Sequence, residues 1–188
     1  MRTLTLAASA TAIASPAFAH AGDHAGGGLV GGLLHPVTGV DHLLAMVAIG
    51  LWAGLAGGAA RLAVPLAVLA AMAIGCVLAV QGVHLPLVEA GILASVIVLG
   101  ALAAAATRIG QLAGAALAVS FGLLHGHAHG AEMTGDSVLA YSLGMLGATA
   151  ALHALGLALA SPPAERIRLP ARALGGAIML AGLVLPFV

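Results

Sequence analysis

The string HPVTGVDH, residues 35–42, sets two imidazoles and a carboxylate inside a long run of Gly, Ala, Val and Leu. A charged side chain near mid-bilayer costs roughly 2.5–3.5 kcal/mol on insertion scales, so Asp41 in such a run marks a functional position. On a regular helix His35 and His42 differ by nearly two turns and share a face, but they sit about 10 Å apart along the axis, too far to grip one ion together. Pro36 removes a backbone donor and Gly39 loosens the next turn. Joint action on one ion therefore requires Pro36 to Gly39 to unwind, whereas a regular segment makes the two histidines successive steps on a path.

A second cluster, FGLLHGHAHGAE, occupies residues 121–132. His125 and His129 are spaced i,i+4, which puts two imidazoles on one helix face and lets them share a metal. Glu132 follows three residues after His129 on the same face, and His127 points roughly the other way if the helix continues. Glu89, near the start of a later apolar run, is expected to join His35, Asp41 and His42 in replacing an ion's water shell within the bundle. His20, Asp23 and His24, with His127, form an outer capture group. His84 reads as a solvated loop residue, while His153 and Met46 read as packing residues. Imidazole and carboxylate without thiolate suit borderline divalent ions such as nickel, cobalt or zinc, and spacing alone does not order the three.

The elements that must carry these groups follow from composition. Of 188 residues 62% are hydrophobic and 6% are charged, with a mean hydropathy of +1.16. That is the profile of an all-α integral membrane protein. Six Arg, no Lys and six acidic residues cancel, which argues against a nucleic-acid footprint. The lone Cys76 allows no intrachain disulfide and reads as a small packing residue. Residues 1–19 combine one Arg, a short apolar stretch, Pro16 and an Ala17-Phe18-Ala19 cleavage site, the pattern of a cleavable signal peptide. The remaining domain, residues 20–188, divides into six apolar spans near 29–56, 62–80, 87–106, 110–128, 137–160 and 171–187. The first and fifth are long enough to be tilted or broken. Small residues dominate, and Gly122, Gly126 and Gly130 recur every fourth position, so a compact Gly/Ala-packed bundle is expected.

With the mature N-terminus outside, Arg61, Arg108, Arg166, Arg168 and Arg172 all fall in cytoplasmic segments, as the positive-inside rule requires. Most histidines then lie on the periplasmic side of a bacterial inner membrane. The chain lacks a GxxxxGK[ST] phosphate loop, so ATP hydrolysis by that route is excluded.

The stretch HPVTGVDHLLAMVAIGLWAG, together with HGHAHGAE, resembles the HupE/UreJ family of nickel permeases, and the likeness extends over nearly the whole chain. The larger nickel/cobalt permease family carries HxxxxDH, one residue shorter than the spacing here, and the chain is not assigned to it. The resemblance carries over to His35, Asp41, His42, His125, His129 and Glu132. It implies import of nickel or cobalt from periplasm to cytoplasm for hydrogenase or urease maturation, with maturation proteins as partners. The expected partners are thus a divalent ion as cargo, the lipid bilayer and those proteins; no prosthetic group is expected, and a homo-oligomer is compatible with the sequence. Two other readings stay open on the residues alone: an intramembrane metalloenzyme with Glu89 or Glu132 as base, and a sensor or assembly subunit that binds metal without transport.

Overall fold

The computed structural model describes residues 28–133, 137–160 and 164–187. The signal-peptide segment, with His20, Asp23 and His24, lies outside them. Every regular element described is helical: α1 (Gly28–Thr38), α2 (Val40–Ala56), α3 (Ala60–Val80), α4 (Val88–Ala105), α5 (Gln111–Ala131), α6 (Val138–Leu159) and α7 (Ala164–Val184), closed by a 3-10 turn at Leu185–Phe187.

Four of these helices are long and apolar enough to cross a membrane, and a fifth span results if α1 and α2 are taken together. The chain is a multi-pass membrane protein. The remaining expected span, the fourth, near 110–128, forms the 21-residue helix α5, as long as α3. It falls outside the apolar set because three histidines crowd its C-terminal turns.

Of the two forms open to Pro36–Gly39, unwound or regular, the structure shows neither in full: the helix is interrupted at Gly39 alone. α1 remains helical through Pro36, and the chain instead bends by 83° between α1 and α2. Gly39, extended at φ −85° and ψ 113°, is a weak helix former that tolerates the break. The Thr38 hydroxyl donates to the His35 carbonyl at 2.9 Å, satisfying one of the acceptors that a helix end leaves open. Across the bend α2 restarts at once, with Leu43 N–H donating to the Gly39 carbonyl at 2.8 Å.

Helix α2 is the hub, packing against α1, α3, α4, α6 and α7. Its stretch from Ala45 to Ala53 is almost wholly buried, Met46 and Trp52 included, while α3 turns Leu62, Leu66, Ile74 and Val77 outward. In lipid there is no hydrophobic drive between helices, so close backbone approach must supply the cohesion. The every-fourth glycines provide it. A Cβ on Gly122, Gly126 or Gly130 would collide with the backbone of α3 at Val68, Met72 and Cys76 respectively.

The same contacts give helix directions. Rising numbers on α5 meet rising numbers on α3, so the pair is parallel. Gly50 against His153, followed by Gly54 against Leu157 and Ala160, makes α2 and α6 parallel. Gly100 against Gly175 and Met179, with Gly182 against Val96 and Ile97, makes α4 and α7 antiparallel. At one end of the bundle the Trp52 indole donates to the Thr107 carbonyl at 2.9 Å, and Arg172 Nε donates to the Ala104 carbonyl at 2.7 Å. Arg61 starts α3 and Arg108 precedes α5 at this same end. The histidine clusters lie towards the other.

Candidate functional site

The bend at Gly39 sets where the first motif points. Because α1 and α2 leave the corner in different directions, His35 and His42 approach one imidazole on a third element, His129 of α5. Its ring centroid lies 4.7 Å from that of His35 and 4.5 Å from that of His42. His42 in turn lies 4.9 Å from His125, one turn before His129 on α5. Four imidazoles from α1, α2 and α5 therefore form a line in the order His35, His129, His42, His125. All four are buried, and His125 and His129 have 0% exposure.

Each end of the line is tied. At the outer end His35 Nε2 meets Glu132 Oε2 at 3.0 Å. Glu132 caps α5, and its side chain is 36% exposed, so it joins the buried line to the surface. In the middle, Asp41 Oδ1 accepts from the His42 backbone N–H at 2.8 Å and stands 2.9 Å from His42 Nδ1. Asp41 also sits in the first turn of α2, where the helix dipole favours a carboxylate. This setting, at a helix start inside the bundle, is what makes an acid tolerable there. At the inner end His125 Nε2 lies 2.9 Å from Ser95 Oγ.

These partners fix where the lone pairs face. A neutral imidazole has one N–H and one acceptor nitrogen, and the bond made by one nitrogen assigns the other. Nδ1–H of His42 donates to Asp41, so Nε2 keeps its lone pair. The Ser95 hydroxyl donates to the Ile92 carbonyl at 2.6 Å; its oxygen then accepts Nε2–H of His125, and the His125 lone pair is on Nδ1. His42 Nε2, His125 Nδ1 and both nitrogens of His129 are buried without a hydrogen-bond partner. Buried polar atoms are ordinarily paired, so this concentration of unpaired imidazole nitrogen at one place fits a ligand surface. Carboxylate and hydroxyl groups holding the far nitrogen are the usual supports of a metal-ligating histidine.

With metal–nitrogen bonds of about 2.1 Å, two cis imidazoles stand roughly 4.5–5 Å apart between centroids, the spacing seen along this line. Even so, among the described residues no three His, Cys, Asp or Glu side chains converge on a single point as a closed cage would require. The arrangement offers overlapping partial sites.

Two expected members stand elsewhere. Glu89 lies exposed in the first turn of α4, where a helix N-terminus suits an acid, and is not inside the bundle with His35, Asp41 and His42. His127, expected in the outer capture group, has its Nε2 2.7 Å from the Val83 carbonyl, holding the loop before α4. Exposed His84 lies in that loop, and Cys76 is buried, its Sγ 3.5 Å from Ser142 Oγ. Sequence reasoning missed Ser95, a lone small polar residue in an apolar helix, because nothing in its neighbours distinguishes it from packing. It also missed Tyr141 of α6, whose ring lies 5.7 Å from His35.

A model of the family described as HupE / UreJ protein matches residues 7–185 of this chain. Protein HupE of Rhizobium leguminosarum bv. viciae is 44% identical over 184 residues, covering 97% of this chain and 96% of that protein. No solved structure matches.

Proposed function

Since the chain belongs to the HupE/UreJ family, whose members are hydrogenase and urease accessory proteins, we propose that it is a permease that carries nickel, or cobalt, from periplasm to cytoplasm for the maturation of one of those enzymes. The observation that carries this reading is the line of four imidazoles, tied to the surface at Glu132 and extending into the bundle. A conduction path needs sites that bind well enough to draw the ion in and weakly enough to release it, and several partial sites meet that need better than one closed cage. Imidazole nitrogen with flanking carboxylates suits borderline divalent ions.

In this reading the ion meets Glu132 and His35 first, passes to His129 and His42, and then to His125. His20, Asp23, His24 and exposed Glu89 serve capture on the periplasmic side, and His127 holds the loop that borders it. The bundle has six spans in the inner membrane: the bent α1–α2 pair counts as one, and α5 counts as another because it runs parallel to the apolar α3 in close backbone contact. The mature N-terminus is periplasmic. Arginines at the end opposite Glu132 agree with a cytoplasmic face there.

The test is Ni2+ uptake into proteoliposomes of the purified chain. Uptake is expected for the wild type, and loss to background for Asp41→Asn, which keeps the side-chain shape while removing the charge that orients His42. Tight stoichiometric binding without flux in the wild type would replace the permease with a metal-binding subunit.

A further inference from the structure

Beyond His125 the ion still has far to go. Fourteen residues separate His42 from the end of α2 at Ala56, about 21 Å of helix. A bare divalent ion does not cross that much apolar packing without a polar partner. A buried histidine of α6 lies beside this stretch. His153 of α6 is 2% exposed and Thr149, one turn before it, is 0% exposed. Both ring nitrogens of His153 and the Thr149 hydroxyl lack a hydrogen-bond partner.

Their depth follows from the helix contacts. α6 runs parallel to α2, and the His153 backbone is seated against Gly50, eight residues past His42 and so about 12 Å further from Glu132. From His153 to the end of α6 at Leu159 is about 9 Å more. His153 thus divides the remaining distance. A histidine that serves packing alone ordinarily has at least one nitrogen bonded; here neither is, and the residue one turn earlier is equally unpaired.

We infer that His153, with the Thr149 hydroxyl beside it, is a second, inner station for the divalent cation, receiving it from His125 and passing it to the arginine-bearing face. This inference rests on the permease reading but can fail separately from it. If the wild type shows no Ni2+ flux, the permease reading fails; if the wild type transports and the His153 variants do so equally well, only the inner station fails.

The experiment compares wild type, His153→Gln, His153→Cys and Thr149→Val as full-length protein in proteoliposomes, with equilibrium Ni2+ binding measured on the same preparations. The outer line is intact in all of them, so Kd and KM should stay within twofold of wild type. The maximal rate is expected to fall at least tenfold in His153→Gln and at least threefold in Thr149→Val. His153→Cys, which restores a ligand, should recover most of the rate. In a Cys76→Ser background, its thiol should react with a small methanethiosulfonate more slowly when Ni2+ is present. A His153→Gln rate within twofold of wild type overturns the inner station. So does a His153→Cys variant no faster than His153→Gln, or a thiol whose labelling ignores Ni2+. Should His153→Gln fail to fold, a Thr149→Val rate within twofold of wild type, or a His153→Cys thiol whose labelling ignores Ni2+, overturns the inner station.

Discussion

Ser95→Ala isolates the part of the site that no motif contains. Ser95 Oγ is the acceptor that keeps the proton of His125 on Nε2, at 2.9 Å, and its own proton is committed to the Ile92 carbonyl at 2.6 Å. Alanine at 95 leaves Nε2–H facing an apolar wall. A buried donor without a partner costs about 1–3 kcal/mol, which shifts the tautomer ratio roughly 5-fold to 150-fold at 1.4 kcal/mol per factor of ten. Neither nitrogen then has a partner, so the proton is shared between Nε2 and Nδ1, the nitrogen that should face the ion, and binding must reverse the Nδ1 share. Loss of such a supporting contact typically costs 10–100-fold in metal affinity, and the same range is expected here for Ni2+ measured by equilibrium dialysis. Ser95→Thr keeps the hydroxyl and should retain affinity within a few-fold. Nitrogen-15 spectra of histidine-labelled protein report the tautomer directly: Nε2–H at His125 in the wild type, with a mixed or inverted population in Ser95→Ala. A folded Ser95→Ala protein with wild-type Ni2+ affinity, or a wild-type spectrum with Nδ1–H at His125, would refute the reasoning.

Other perturbations separate capture from packing. Glu132→Gln retains an oxygen for His35 but loses the charge at the mouth; KM for Ni2+ uptake should rise about twofold to fivefold with little change in maximal rate, and the difference should shrink as salt is added. An equal change in both parameters would put Glu132 deeper in the path than its exposure allows. Gly126→Val forces a branched side chain into the Met72 carbonyl and should destabilise the α3–α5 pair by about 1–3 kcal/mol, read as a lower unfolding midpoint in detergent. Gly147→Ala, inside α6, where an added Cβ meets nothing within 4 Å, should raise stability by about 0.5–1 kcal/mol, because alanine is the better helix former.

Much of the site was legible because its chemistry is written in local spacing. His125, His129 and Glu132 share a face on any continuous helix, and α5 does continue through Ala131 despite its glycines, which serve the α3 contact. Asp41 was conspicuous because an acid is rare in apolar sequence. Depth and partnership were not legible. Glu89 reads the same in sequence whether it faces the bundle or the surface; the start of α4 at Val88 decides for the surface. His153 reads as packing until α6 is known to run parallel to α2 and its ring is found unpaired. Ser95 depends on a contact across 30 residues of chain, which no local pattern encodes. The span count was less legible for a related reason: the histidines that give α5 its chemistry also remove it from the apolar helices.

The bend explains why the first motif needs both Gly39 and Asp41. On a straight helix His35 and His42 would stand about 10 Å apart, and His129 could touch one of them but not both. Turning the chain by 83° folds that axial separation into a corner filled by a single imidazole from α5. The turn also creates a helix N-terminus inside the bundle, and Asp41 occupies its first turn, where the carboxylate is stabilised by the dipole while it orients His42. One flexible residue thus does two things that a continuous helix could not: it brings two motif histidines to a common neighbour, and it supplies a helix N-terminus beside the motif's acid. Helical continuity through Pro36 belongs to the same design, because it keeps His35 at a fixed height next to Glu132 while the corner itself is confined to Gly39.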